Sequence, residues 1–220
     1  MWLSFYQDLL AERELIWNGI LATLKLTAVI SCTGLLASIV LLYLTIAPSA
    51  WVRRIAESYK SFFIGTPLLC ILYVMYYGLP ELGLHFAPFT VAVFAFTLNV
   101  AAYNAAYLLT AYHAFDQAEL EAARAQGFTH LQSYRYIILP QILRASVPAL
   151  TNQVIHNLKD SSIAFLVQYP EFFARMQELA AGNFEFLKTY LVSLVFYLLV
   201  TVLITLASLA LEKSVALGRS

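Results

Sequence analysis

The chain has 220 residues, of which 61% are hydrophobic and 12% are charged. Soluble domains average about 45–50% apolar and about 25% charged residues, so this composition indicates an integral membrane protein. The 13 basic and 13 acidic side chains balance, which excludes the basic surface that nucleic-acid binding needs. Cys32 and Cys70 lie in apolar segments, where a buried free thiol is the ordinary state.

Five segments are apolar enough to cross a bilayer, which takes roughly 20 helical residues. They are residues 19–46, 59–79, 88–110, 147–167 and 190–211. The N-terminus lacks the basic start and the cleavage site of a signal peptide, so the first segment is expected to remain as an anchor. We therefore predict an all-α integral membrane protein in which residues 1–220 form one domain of five transmembrane helices.

Basic residues in the loops are distributed unequally across the predicted membrane. One side carries Arg53, Arg54, Lys60, Arg124, Arg135, Arg144, Lys213 and Arg219. The other side carries Arg13, Arg175 and Lys188. Because cytoplasmic loops hold the excess of Lys and Arg, we expect the C-terminus and the loop between the third and fourth spans in the cytoplasm, and the N-terminus outside.

That loop, residues 113–140, is predicted to form two short helices with a corner between them. Its signals are two capping-box spacings, a glycine stop and a helix-breaking proline: Asp116 with Glu119, Thr129 with Gln132, Gly127 and Pro140. A simple connector between spans would need the same signals. A docking surface for a soluble partner is the alternative reading of this loop.

Two details of the loop favour docking. Ala122, Ala123 and Ala125 would leave a nearly bare helix surface that a partner can approach closely. Phe128 and Leu131 would offer apolar anchors at the corner, of the kind that fill a groove.

The loop also carries a longer pattern: Glu121-Ala122-Ala123, then Gly127 after three residues, then Ile137-x-Leu139-Pro140 after nine more. This pattern resembles the signature loop of the permease subunits of bacterial ABC importers. The resemblance implies the type I importer permease fold, in which coupling helices insert into a groove on an ABC ATPase subunit. The coupling residues that it implies are Glu121, Ala122, Ala123, Arg124, Gly127, Phe128, Leu131, Leu139 and Pro140.

Three further motifs narrow the resemblance. They are Gly65-Thr66-Pro67-Leu68-Leu69, Asn99 with Ala101-Ala102-Tyr103, and Asn157-x-Lys159-Asp160-Ser161-Ser162. They resemble the polar amino acid branch, of the histidine, glutamine and arginine permease type. That branch implies a multi-pass protein of the bacterial inner membrane. A periplasmic or extracellular binding protein would deliver a polar amino acid, or a derivative such as an opine.

The same resemblance implies that this chain binds no cofactor, because ATP and Mg would be held by the ATPase subunits. Members of the branch often carry Arg, Glu and Arg where this chain has Ile64, Ala106 and Leu109. The missing charges indicate either a different substrate or a second, non-identical permease that supplies them. We favour the second interpretation and expect a heterodimer in the lipid membrane.

The fourth predicted span is unusually polar. It holds Asn152, Gln153, His156, Asn157, Lys159 and Asp160. An ionisable group at membrane depth costs at least about 2.5–3.5 kcal/mol, so these side chains should face a cavity or another helix. Lys159 and Asp160 could instead lie near the headgroups and snorkel.

A zwitterionic amino acid would need a dipolar path with hydrogen-bond donors and acceptors. The candidate path residues are Thr66, Asn99, Asn104, Gln153, His156, Asn157, Lys159, Asp160 and Ser161. A role for Gln153, His156 and Asn157 in that path is slightly favoured over simple helix packing, because these three should lie deeper in the membrane.

Enzymatic activity is not expected. The four histidines lack zinc-ligand spacing, and the chain has neither a Gly-x-Ser-x-Gly turn nor a phosphate-binding Gly-x-x-x-x-Gly-Lys loop. A non-ABC channel or an intramembrane enzyme remains as the alternative class, but neither needs an elaborate cytoplasmic dock.

The segment 168–188 reads as a short helix along the outer surface, with Phe172, Phe173 and Met176 on its apolar side. Its acidic residues, Glu171, Glu178 and Glu185, could also receive basic groups of a binding protein. The pattern leaves both interpretations open.

Overall fold

The computed structural model describes residues 2–217, without the side chains of residues 3, 117 and 211–217. This range contains helices and turns and no strand. Arg219 lies outside the described residues, and the side chain of Lys213 is not described. Their part in the predicted charge bias therefore stays a prediction.

The α-helices in this range are α1 (Trp2–Ala11), α2 (Arg13–Thr45), α3 (Ala50–Gly65), α4 (Leu68–Tyr73), α5 (Pro88–His113), α6 (Gln117–Ala125), α7 (His130–Ser133), α8 (Leu139–Ala145), α9 (Val147–Asp160), α10 (Phe172–Asn183) and α11 (Phe186–Leu217). A π-helical turn (Val74–Gly78) and a 3-10 turn (Leu79–Leu82) extend α4. Another π-helical turn (Tyr134–Ile138) joins α7 to α8, and a 3-10 helix (Ser161–Val167) follows α9.

In the described range, three helices are long and apolar enough to cross a membrane alone: α2, α5 and α11. The α3 helix and the extended α4 would form a fourth span as a pair, but they are bent by 97°. The predicted span 59–79 is therefore not one straight helix. Pro67 causes the break, because proline donates no backbone hydrogen bond and disfavours the helical conformation of the residue before it.

The predicted span 147–167 is also composite. Its α-helical part, α9, has 14 residues, which is shorter than the roughly 20 that a bilayer takes. The 3-10 helix continues it for 7 residues. A count of five spans therefore depends on taking both the bent pair and this composite segment as spans.

The centre of the protein is the close contact between α2 and α5. A Cβ atom at Gly34 of α2 would lie only 2.4 Å from Cγ1 of Val100 in α5. Beside this contact, the hydroxyls of Thr33, the residue before Gly34, and Thr97 of α5 are 2.6 Å apart. Fully buried apolar side chains from both helices, including Leu26 of α2 and Ala92 of α5, continue the contact. Small residues thus let the two longest central helices touch, as is common in membranes.

A buried carboxylate joins α2, α10 and α11. Glu171 is 0% exposed and caps α10, accepting hydrogen bonds from the backbone N–H groups of Phe173 and Ala174 at 2.8 and 2.6 Å. It also accepts from the hydroxyls of Thr23 in α2 and Tyr197 in α11, at 3.3 and 3.0 Å. Burial raises the pKa of Glu171 to about 7.

The idea that the three glutamates form an acidic docking patch is wrong for Glu171, because that side chain is buried at the helix junction. The other two are engaged locally. Glu178 pairs with Arg175 at 2.7 Å, and Glu185 pairs with Lys188. Phe172 and Met176, on the apolar side of α10, pack in a buried cluster with Phe5 of α1.

Replacing Gly34 with alanine should destabilise the protein, because the added methyl group would overlap Val100. Overpacking of this kind costs about 1–3 kcal/mol. Gly182→Ala in α10 is the matched control, since nothing lies within 4 Å of the new methyl group. We expect a lower thermal unfolding midpoint in detergent for Gly34→Ala alone, and equal midpoints would contradict the tight α2–α5 contact.

Glu171 should make stability depend on pH. Its folded pKa of about 7 exceeds the ordinary 4.5, so its contribution is complete below pH 4.5 and is lost as pH rises through 7. The wild-type unfolding midpoint should therefore fall from about pH 5 to about pH 8.

Two variants separate the charge of Glu171 from its hydrogen bonds. Glu171→Gln has no charge to titrate, so its midpoint should stay flatter with pH. Glu171→Ala should be less stable at every pH, because it leaves the hydroxyls of Thr23 and Tyr197 without this acceptor. Parallel pH profiles for wild type and Glu171→Gln would exclude Glu171 as the titrating group.

Candidate functional site

A polar cleft of about 430 Å³ lies where the bend between α3 and α4 meets α5 and α9. Its lining residues are Ile64, Gly65, Thr66, Pro67, Leu68, Asn99, Tyr103, Tyr107, Gln153, His156 and Asp160. The bend supplies the first five, α5 the next three and α9 the last three. Three segments that are distant in sequence therefore build this one cleft.

Helix geometry explains which side chains reach the cleft. Asn99, Tyr103 and Tyr107 are four residues apart on α5, so they lie on one face. Gln153 and His156 are three residues apart, and Asp160 follows four residues later on α9. The sequence analysis missed Tyr103 and Tyr107 as path candidates. Their four-residue spacing from Asn99 was the available signal.

The cleft contains five of the predicted path residues: Thr66, Asn99, Gln153, His156 and Asp160. The remaining four, Asn104, Asn157, Lys159 and Ser161, are not in its lining. Asn104 is 3% exposed and lies on the face of α5 that carries the buried residues Val100 and Leu108. That face packs against α2, where Val100 meets Gly34, and none of its residues lines the cleft.

The other three residues also project elsewhere. The side-chain amide of Asn157 donates to the hydroxyl of Ser31 in α2 at 2.9 Å. Ser161 is 0% exposed and donates to the carbonyl of Leu158. Lys159 is exposed, but outside the cleft. Neighbouring positions on a helix are about 100° apart, so residues adjacent in the motif face different surroundings.

Two amides of the cleft are oriented by hydrogen bonds. Asn99 donates through Nδ2 to the carbonyl of Phe63 at 2.9 Å, in the last turn of α3. The bend deprives this turn of its next helical donors, so Asn99 satisfies a carbonyl that the break would otherwise leave open. Gln153 donates through Nε2 to Asn157 Oδ1 at 3.0 Å. Both amide nitrogens are thus engaged, and the amide oxygens remain available as acceptors.

The second candidate surface is the loop between α5 and α9, in which α6 and α7 begin where the sequence predicts. The predicted stop at Pro140 is wrong, because Pro140 lies in the first turn of α8, where its missing N–H costs no helical hydrogen bond. Thr129 and Gln132 form the predicted capping box, with both reciprocal bonds present. Asp116 caps α6 by accepting from the N–H of Ala118 at 2.9 Å. Its predicted partner Glu119 does not complete the box, since it accepts from Gln141 Nε2 instead. The prediction of a capping box at Asp116 is therefore correct for the cap by Asp116 and wrong for the bond from Glu119.

Gly127 forms the corner between α6 and α7. Its φ of +82° lies in the left-handed region, which glycine adopts without the cost that a side chain incurs. The N–H of Phe128 bonds the carbonyl of Ala123 at 3.1 Å, and the N–H of Gly127 bonds that of Arg124 at 3.0 Å. This pair of bonds is a Schellman motif, the glycine-dependent helix stop.

The predicted coupling residues differ in exposure. Glu121, Ala122, Arg124, Leu131 and Pro140 are exposed, whereas Phe128 and Leu139 are half-buried. Ala123 is only 3% exposed, so the prediction that it belongs to a bare outer surface is wrong. Ala123 follows Leu120 by three residues on the same face of α6, and Leu120 packs in a buried apolar cluster, so this face points inward.

The loop is anchored to the helices beneath it. The hydroxyl of Tyr134 donates to the carbonyl of Ile39 in α2. The same ring and Ile138 pack in a buried cluster with Leu42 of α2 and Leu108 of α5. A displacement of the loop would therefore be transmitted to both central helices.

Comparison with known proteins assigns the chain. Residues 30–216 match the family described as "Binding-protein-dependent transport system inner membrane component". The probable amino-acid permease protein YxeN of Bacillus subtilis is 35% identical over 167 residues, which cover 74% of this chain and 75% of that protein. The arginine transport system permease protein ArtQ of the same organism is 31% identical, over 90% of this chain and 91% of its own length.

A solved amino acid ABC transporter, crystallised with histidines, contains a chain of the same fold. The TM-score is 0.85 and the identity 27%, over 94% of this chain and 97% of that one. The family match covers far more than half of the sequence, and the relatives are permeases of ABC transporters rather than enzymes. The chain belongs to the family of binding-protein-dependent transport system inner membrane components.

Proposed function

We propose that this chain is the permease subunit of an ATP-driven importer and that its cleft holds a polar amino acid, or a derivative such as an opine, during passage. The observation that carries the proposal is the convergence of Thr66, Asn99, Gln153, His156 and Asp160 on one cleft of about 430 Å³. Polar side chains are costly at membrane depth, and such groups usually mark a substrate pathway. The names of the relatives, which include arginine and cystine permeases, support an amino acid as the ligand.

The cleft offers different partners to the two ends of a zwitterion. Acceptors are the carboxylate of Asp160 and the amide oxygens of Asn99 and Gln153, which suit an ammonium group. Donors are the imidazole of His156 and the hydroxyls of Thr66 and Tyr103, which suit a carboxylate. A dipolar ligand could therefore exchange its water for protein hydrogen bonds on both sides.

The surface around Gly127 supports a role in coupling to ATPase subunits. Leu131 is 57% exposed, and half-buried Phe128 lies beside the corner. Both are anchors for a hydrophobic groove on a partner. The contacts of Tyr134 with α2 would carry the movement of that partner into the membrane helices. ATP and Mg would be bound by the partner, which supplies the energy.

The complete importer would contain a second permease, two ATPase subunits and a binding protein outside the membrane. In this arrangement the chain crosses the bilayer five times, with its N-terminus outside and its C-terminus in the cytoplasm. A non-identical second permease fits the cleft chemistry, since Ile64 lines the cleft without a charge. Ala106 and Leu109, the other two uncharged positions, are half-buried on α5.

Gly127→Pro should abolish ATP-dependent uptake. Proline fixes φ near −65°, whereas this position has +82°, so the corner between α6 and α7 would be lost. The assay is uptake of radiolabelled L-arginine, L-glutamine and L-cystine by proteoliposomes that contain the whole complex.

Gly83→Pro is the matched control for Gly127→Pro. Gly83 has a φ of +81°, and like Gly127 it has no atoms within 4 Å of an added methyl group, but it lies in the loop before α5. We expect this variant to retain more uptake at equal membrane insertion. Equal loss in both variants would indicate general damage rather than coupling.

Gln153→Leu should reduce uptake strongly while the complex still assembles, because the cleft loses a hydrogen-bonding group. Asn157→Leu should act differently. It removes the bond to Ser31 in α2, so we expect the free energy of unfolding to fall by roughly 1–3 kcal/mol and the unfolding midpoint to fall with it. Uptake per assembled complex and detergent thermostability measure the two effects. Normal uptake with Gln153→Leu would remove this side chain from the pathway.

A further inference from the structure

A second cleft of about 480 Å³ lies further along α5, between α5, α6 and the α8–α9 segment. Its lining includes Tyr107, Ala111 and Ala114 of α5, and Gln141, Ala145 and Ala149 of the opposite wall. Asp116 and Glu119 place two carboxylates at the α6 end. The α6 end of this cleft therefore borders the proposed docking surface.

Among the described residues, Tyr107 is the only one that lines both clefts. The α5 face that carries Asn99, Tyr103 and Tyr107 continues through Ala111 and Ala114, with spacings of three or four residues. Residues at these spacings share one side of a helix. The two clefts are thus consecutive parts of one trough along α5.

The opposite wall of the trough shows the same continuity. His156 and Gln153 belong to the first cleft, and Ala149, Ala145 and Gln141 belong to the second. Successive members are again three or four residues apart along α8 and α9. One face of this segment therefore borders the whole trough.

The side chains nearest to Tyr107 along the two walls of the trough are small. Four alanines line the second cleft, at positions 111, 114, 145 and 149. Tyr107 is half-buried, and no hydrogen bond holds its hydroxyl within residues 2–217. By contrast, Tyr59 and Tyr134 donate to backbone carbonyls. The ring of Tyr107 is therefore bulky and is not fixed by a hydrogen bond of its hydroxyl.

We infer that the trough is the route from the polar cleft toward the α6 end and that the ring of Tyr107 closes it between the two clefts. This inference rests on the proposed function, because the route would serve the same amino acid ligand. With the ring in place, the polar cleft is separated from the second cleft. A shift of α5 against α9, or a change in the rotamer of Tyr107, would join the two clefts.

The test is the accessibility of a thiol in the polar cleft. Cys32 and Cys70, both exposed, are replaced with serine, and Thr66→Cys serves as the reporter. The whole complex is placed in vesicles with the α6–α7 loop facing outward, and a membrane-impermeant maleimide is added. Tyr107→Ala should label about tenfold faster than the parent, which corresponds to a barrier lower by roughly 1.4 kcal/mol.

Two variants control for packing. Tyr107→Phe keeps the ring and should label at the parental rate. Tyr103→Ala removes an equally large side chain that lines only the first cleft, and it too should label at the parental rate. In vesicles of the opposite orientation, Tyr107→Ala should change nothing. An unchanged rate in Tyr107→Ala, or an equal rise in Tyr103→Ala, would overturn the assignment of Tyr107.

The labelling rate does not depend on transport, so failure of the Tyr107 barrier can be distinguished from failure of the proposed function. Import is therefore measured with the wild-type complex, and labelling with the Thr66→Cys reporter. If the wild-type complex imports none of the three labelled amino acids, while the reporter still labels faster with Tyr107→Ala, the proposed substrate class is overturned and the barrier is supported. If the wild-type complex imports normally and Tyr107→Ala leaves the labelling rate unchanged, the barrier is overturned and the proposed function stands.

Discussion

Backbone hydrogen bonding is the constraint on which this architecture depends. A chain in lipid must satisfy its N–H and C=O groups internally, so it spans the bilayer as helices and tolerates irregular backbone only where protein or a cavity surrounds it. The break at Thr66 and Pro67 follows this rule. It lines the polar cleft, and Asn99 donates to the carbonyl of Phe63 in the last turn of α3. The bend and the cleft are therefore one feature.

Two buried polar side chains, those of Asn157 and Glu171, also have hydrogen-bond partners within the protein. Asn157 of α9 is buried against α2, and its side-chain oxygen orients Gln153 by accepting a hydrogen bond from the amide nitrogen of that residue. Glu171 is buried at the junction of α2, α10 and α11, where two N–H groups and two hydroxyls surround it. Asn157 thus fixes the α9 wall of the cleft against α2, whereas Glu171 ties α2 to α10 and α11, outside the cleft.

Sequence analysis separated these two groups only in part. The pattern of caps and glycine in residues 113–140 predicted α6, α7 and the corner at Gly127, because capping depends on local backbone geometry. The sequence also showed that the fourth predicted span, which contains α9, is rich in polar residues. It did not distinguish Gln153 from Asn157, since both are polar and the neighbouring helix that each one faces is set by long-range packing. Glu171 was misplaced for the same reason.

The membrane class, the apolar segments and the caps of the loop could be predicted from the sequence, because they depend on composition or on residues within about one or two helical turns of each other. The family resemblance followed from fixed spacings along the sequence, which need no knowledge of the fold. Pro67 is a local signal for the break between α3 and α4, but the angle of 97° appears only in the folded protein. The folded protein also shows that Tyr103 and Tyr107 line the cleft and that Asn104 and Ser161 do not. These outcomes depend on which helix packs against which face. The close α2–α5 contact, made possible by Gly34, sets that arrangement.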